Sequence, residues 1–183
     1  MHTAYFQTKD IAAITIFAAL WGILNPTISP VFFQVFHLPF LCDLIGFATL
    51  ILASWLVKKV GAATLTGIIA TILNLTIRPD LTNFFGFTAA SVVFDALAYL
   101  IGYKLLFGKR LLGSFCLFAI SVFSAAVAGL IIGAFFMEPI IRQRWGGMLV
   151  WAGLHAAGGV LGGALGVTLM NALILRGINH SAN

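Results

Sequence analysis

Six apolar runs, split by short polar or proline-containing breaks, decide what this chain can fold into. They cover roughly residues 10–27, 39–57, 61–77, 84–106, 111–137 and 147–175. A helix of about 20 residues crosses the hydrocarbon core of a bilayer, and the third run, at roughly 17 residues, sits at the short limit. Backbone groups inside lipid must be satisfied within the segment, so runs of this length are read as helices. The expected fold is all-α: a polytopic membrane protein with six transmembrane helices, forming a single domain over residues 1–183. Composition agrees, because 61% of residues are hydrophobic and 8% are charged, against about 25% charged in soluble domains.

Lys and Arg set the expected orientation. With the N-terminus inside, the inner side holds seven of them, Lys9, Lys58, Lys59, Lys104, Lys109, Arg110 and Arg176, and the outer side holds three, Arg78, Arg142 and Arg144. That bias favours N-in and C-in. Because the basic residues sit at the ends of apolar runs, the net charge of +5 points to topology and a lipid bilayer, with no nucleic-acid partner. The first run lacks a strongly basic leader and a small-x-small cleavage site, so it is read as a mature first helix. Cys42 and Cys116 fall near opposite faces, which argues against a disulfide between them. Residues 28–40 have no formal charge, four Phe and two Pro. They are too short to span, and are expected to lie in the interface or to fold over a cavity as a lid. No internal repeat is evident, so an inverted-repeat transporter is not indicated.

The fourth run carries a carboxylate. At 1.5 Å per residue, Asp95 is expected about 16 Å from Phe84, roughly halfway through the hydrocarbon. An ionisable group at that depth is either functional or a structural tie to a neighbouring helix. Thr88, Ser91, Asp95, Tyr99 and Gly102 share one face of this helix, and Thr64, Gly67, Thr71 and Asn74 share one face of the third. Trp151 and His155 stand one turn apart on the sixth. Trp21, Asn25, Asp43, Asn74, Trp151 and His155 all fall in the outer half, whereas the inner halves of the last two helices are mostly aliphatic, Gly or Ala. That distribution fits an outward-facing pocket closed below, with Asp95 as its floor. The candidate substrate-binding residues are Asp95, Asn74, Trp151, His155, Ser91, Tyr99, Trp21 and Asp43. Bland readings stand beside them: an interfacial belt for the tryptophans, an inter-helix bond for Asn74, a core histidine for His155, a solvated surface carboxylate for Asp43. Gly158, Gly162 and Gly166, with Gly159 and Gly163, form small-xxx-small steps that serve internal packing or a docking surface.

No nucleophile elbow, paired-cysteine motif, zinc motif or P-loop is present. The chain is therefore read as no enzyme, with no catalytic residue, metal or cofactor, and an ATP-driven process would need a separate ATPase.

Three stretches carry a family resemblance. They are Lys9-Asp10-Ile11 through Leu24, the link Trp55-Leu56-Val57-Lys58-Lys59-Val60-Gly61-Ala62-Ala63, and Asp95 followed by Lys104. Together they span about the first 110 residues. On them the chain resembles the substrate-binding S components of energy-coupling factor (ECF) transporters, most closely the thiamine and hydroxymethylpyrimidine type. Where S components usually show Ala-x-x-x-Ala on the first helix, this chain has Ala18-x-x-x-Gly22. The resemblance implies a multi-pass protein of the cell membrane that captures a vitamin-like ligand outside. Its partners would be a transmembrane coupling subunit and two ATPase subunits. The alternative from another class is a structural or accessory subunit of a larger membrane complex, with no solute site.

Overall fold

The computed structural model describes residues 4–80, 82–108 and 110–178; Lys109, counted above among the inner basic residues, lies outside them. The described residues form helices and no strand. In chain order these are α1 (Thr8–Phe36), α2 (Phe40–Val57), α3 (Ala62–Ile77), α4 (Phe85–Ile101), α5 (Tyr103–Gly108), α6 (Arg110–Ile131), α7 (Pro139–Arg144) and α8 (Met148–Leu175). A single 3-10 turn (Thr82–Phe84) leads into α4, and a π-helical turn (Ile132–Phe136) extends α6. Five segments are long and apolar enough to cross a membrane: α1, α2, Thr82–Ile101, Arg110–Phe136 and α8. The sixth, α3, has 16 residues, or about 24 Å. The chain is thus an all-α multi-pass membrane protein.

The first helix departs most from expectation. Pro26 and Pro30 read as terminators, yet α1 runs through both to Phe36. Its 29 residues reach roughly 43 Å, beyond a core of about 30 Å. A proline inside a helix strips the carbonyl four residues earlier of its N–H partner. For Pro26 that carbonyl belongs to Gly22, and Asn74 Nδ2 of α3 donates to it at 3.2 Å. The helix is continuous where a neighbouring helix supplies the missing donor. Residues 28–36 are therefore helix, and only His37 to Pro39 connect α1 to α2. At His37 the backbone turns left-handed (φ 56°), and its N–H closes the helix on the Phe33 carbonyl.

At the opposite end of the bundle, Asp10 accepts the Gln7 N–H at 2.9 Å and the Lys59 ammonium at 2.6 Å. That ties the start of α1 to the α2–α3 link. The expected fourth helix, 84–106, is broken at Gly102, whose φ of 91° ends α4 and sets off α5.

The glycines of α8 are packing, not a free face. Cβ atoms at Gly158, Gly162 and Gly166 would press on Asp43, Phe47, Ala48 and Ile51 of α2, and at Gly159 and Gly163 on Ala125 and Ser121 of α6. The last long helix is wedged between the two, close enough that only hydrogen fits.

Candidate functional site

The two polar stripes meet each other. Thr88 Oγ1 donates to Thr71 Oγ1 at 2.8 Å. Ser91 packs where Gly67 leaves room, and donates to the Thr88 carbonyl at 2.7 Å. Asp95 faces the first turn of α3. Its Oδ2 accepts the Gly61 N–H at 2.7 Å, the Thr64 N–H at 3.2 Å and the Thr64 hydroxyl at 2.8 Å, and its Oδ1 accepts from Tyr103 at 3.3 Å. A carboxylate is well placed there, because the first N–H groups of a helix lack partners and carry the positive end of its dipole. Asp95 is thus the cap of α3, supplied from α4. It lies at the basic end of the bundle, level with Gly61, where the Lys58–Lys59 link passes into α3. The expectation that Asp95 floors an outer pocket is corrected, and so are its companions. Ser91 is sealed between helices, and Tyr99 points away from the bundle, 61% exposed.

A cavity of about 490 Å³ lies at the other end, within the range of small-molecule sites, about 300–1,000 Å³. It is walled by the second half of α1, the first half of α2, Asp80 and residues 82–90, and the 128–155 stretch from α6 to α8. Four of the expected residues line it: Trp21, Asp43, Trp151 and His155. Trp21 is a committed wall, stacked on Phe87 (centroids 3.8 Å apart, planes at 15°) and donating its N–H to the Cys42 carbonyl at 3.0 Å. Asn74 stands behind the wall. It holds Asn25, whose Nδ2 donates to Asn74 Oδ1 at 2.9 Å, and Asn25 lines the cavity.

Asp43 and His155 form a buried pair, 4% exposed each. With Asp43 ionised the carboxylate can only accept, and imidazole Nδ1 is then the donor. It sits 3.1 Å from Oδ1, along the hydrogen bond, and 2.9 Å from Oδ2, which lies off the N–H axis. Oδ2 and His155 Nε2 therefore have no hydrogen-bond partner, and neither do Trp151 Nε1, Asn25 Oδ1 or Ser29 Oγ. Leaving a buried polar atom unpaired costs about 1–3 kcal/mol. All five atoms are sealed from solvent within residues that line the cavity.

Phe33, Trp145 and Trp151 close one side as a cluster, with centroids 5.5–6.4 Å apart. Asp80 and Glu138, both exposed, stand on the rim. Bidentate hydrogen bonds from Arg78, at 3.1 and 3.2 Å, hold the Asp80 carboxyl below its usual range. Sequence reading missed Asn25, Phe33 and Trp145 as site residues. Asn25 falls at the pocket's level without being chosen, Phe33 lies beyond the expected end of the first helix at its prolines, and Trp145 falls in a connection. Among the described residues no group of three His, Cys, Asp or Glu is arranged to hold a metal ion. No family model matches the chain, and no curated protein or solved structure does either; what the cavity does rests on its own residues.

Proposed function

We propose that this chain is the membrane-embedded substrate-binding subunit of an ECF-type importer, capturing a thiamine-like vitamin or precursor. The observation that carries the reading is the 490 Å³ cavity walled by Trp21, Phe33, Trp145 and Trp151, with Asn25, Asp43 and His155 on its lining. A subunit that only scaffolds a complex has no use for an aromatic-walled hollow of this size. With the N-terminus inside, the cavity opens outward, as capture from outside requires. The lining offers indole and phenyl faces for a planar ring, and Asp43, Asn25 and Trp151 for its polar edge. Release inward would fall to a coupling membrane subunit and two ATPases in the cell membrane.

Isothermal titration of the purified protein with thiamine, hydroxymethylpyrimidine and a panel of other vitamins tests this. Saturable one-to-one binding of one of them is expected. If none binds, and mass spectrometry of gently purified protein finds no small solute, the accessory-subunit reading takes its place.

A further inference from the structure

A second hollow, of about 390 Å³, lies at the basic end of the bundle. Lys58, Tyr103, Lys104, Phe107 and Gly108 line it, so it carries two ammonium groups and no carboxylate. The α2–α3 link explains how one of the lysines arrives there. Lys58 closes α2 in the left-handed region, with φ 50°, and its backbone N–H donates to the Ser54 carbonyl. The two neighbouring lysines then serve different helices. Lys59 goes to α1, where its ammonium meets Asp10 at 2.6 Å and the Tyr5 carbonyl at 2.8 Å. Lys58 goes to the hollow beside α5.

The facing wall is α5. Gly102 ends α4, and α5 folds against the start of α6, where a Cβ at Gly113 would strike the Leu106 carbonyl. Leu106 is buried and Lys104 exposed, while Tyr103 and Phe107 stack one turn apart with planes at 10°. The two acids at this end are both engaged elsewhere. Asp10 is held by Lys59, and Asp95 by the first turn of α3 and the Tyr103 hydroxyl. Partial burial pulls the Lys58 ammonium below the usual lysine range, because a cation taken out of water loses the hydration that favours its charge. An ammonium so placed gains most from an anion beside it. Tyr99 and Leu100 in the last turn of α4, and Leu111 at the start of α6, stand exposed within four residues of α5. Charge and apolar surface therefore meet at this point of the bundle.

We infer that this hollow binds the phosphodiester headgroup of an anionic phospholipid, with Lys58 and Lys104 on the phosphate and the acyl chains along the exposed flank of α4 and α6. With the N-terminus inside, the lipid comes from the inner leaflet, where basic pockets between membrane helices take such headgroups. A free phosphate would satisfy the two ammonium groups and leave the apolar flank unused, so the lipid is the occupant that matches both. The site does not depend on the solute reading above: it shares no residue with the larger cavity and lies at the opposite end of the bundle.

Native mass spectrometry tests this on the full chain, released from detergent micelles that hold phosphatidylglycerol and phosphatidylcholine of the same acyl chains in equal amounts. Wild type is expected to retain phosphatidylglycerol at least about tenfold over phosphatidylcholine, since each lysine beside an anionic lipid is worth about fivefold. Lys104→Gln is expected to lose about fivefold of that preference, and the double variant Lys58→Asn, Lys104→Gln nearly all of it. Asn is chosen at 58 because it tolerates a left-handed backbone. The double variant Lys9→Gln, Arg176→Gln removes two exposed positive charges that do not line the hollow, and is expected to keep the preference. Equal retention of the two lipids by wild type overturns the proposal and leaves the hollow to an acidic segment of a partner chain. An equal loss in the Lys9 and Arg176 variant also overturns it, because the preference would then follow net charge. Displacement of phosphatidylglycerol by millimolar inorganic phosphate assigns the hollow to a free anion and overturns the lipid as its occupant. Lys104→Gln, at an exposed position, decides the matter even where the Lys58 variant fails to fold.

Discussion

Two carboxylates inside this bundle, Asp95 and Asp43, are both buried, 3% and 4% exposed, and they are treated in opposite ways. Asp95 has both oxygens engaged, by two backbone N–H groups and two hydroxyls. Asp43 has one imidazole for a partner and an oxygen left over. The first belongs to the basic end, where Asp10 and Lys59 also pair. The second belongs to the cavity end, where indole, amide, hydroxyl and imidazole atoms stay unpaired. A charge within the membrane is thus not by itself a sign of function. What separates the two is their setting: Asp95 caps α3, and Asp43 lines the cavity with His155 as its side-chain partner.

This contrast can be broken first at Asp95. Replacing it by Ala strips the cap from α3 and leaves the Gly61 and Thr64 donors without an acceptor. The expected cost is about 3 kcal/mol, measured as a lower unfolding midpoint in detergent. A midpoint unchanged from wild type would mean that the basic end is not held by this carboxylate.

Asp43→Asn should do the reverse. It keeps the shape and removes the charge, so thiamine affinity is expected to fall about 30-fold, or ~2 kcal/mol, with a much smaller change in unfolding midpoint than Asp95→Ala. Titration calorimetry and a thermal scan on one preparation check both halves.

Gly158→Ala sharpens the picture of how Asp43 is held. The new methyl would lie 2.7 Å from Asp43 Cβ and 2.9 Å from its carboxyl carbon, and must displace the side chain. Thiamine affinity about tenfold weaker, ~1.4 kcal/mol, is expected, without removal of any polar group. An affinity equal to wild type would show that the position of Asp43 does not matter.

The smallest effect is expected behind the wall. Asn74→Ala breaks the bond to Asn25 and leaves the Gly22 carbonyl unpaired. Inter-helix hydrogen bonds in membranes average about 0.6 kcal/mol, and a loss of ~1 kcal/mol in stability is expected. A loss several times larger would show that the proline-containing α1 depends on this one residue.

Much of the fold was legible because hydrophobic length is a one-dimensional property. Segments 39–57, 61–77 and 147–175 fall within a residue of α2, α3 and α8. The outer-half concentration of Trp21, Asp43, Trp151 and His155 also carried through to one cavity. Spacing was informative about faces and silent about partners. The stripes Thr64–Gly67–Thr71 and Thr88–Ser91–Asp95 are as periodic as any pocket lining, yet they bond to each other across the α3–α4 contact. Depth misled because position within its own helix puts Asp95 at mid-membrane, whereas its partners are Gly61 and Thr64 at the first turn of α3, beside the Lys58–Lys59 link. The prolines of α1 misled because the donor that rescues the Gly22 carbonyl, Asn74, is 52 residues away.

The central claim, that the cavity-lining Asp43 and not the helix-capping Asp95 serves the ligand, is tested most directly by measuring thiamine affinity side by side in Asp43→Asn and Asp95→Asn. The account predicts that Asp43→Asn loses about 30-fold while folded Asp95→Asn binds as wild type does. Equal losses in both, or a loss confined to Asp95→Asn, would contradict it.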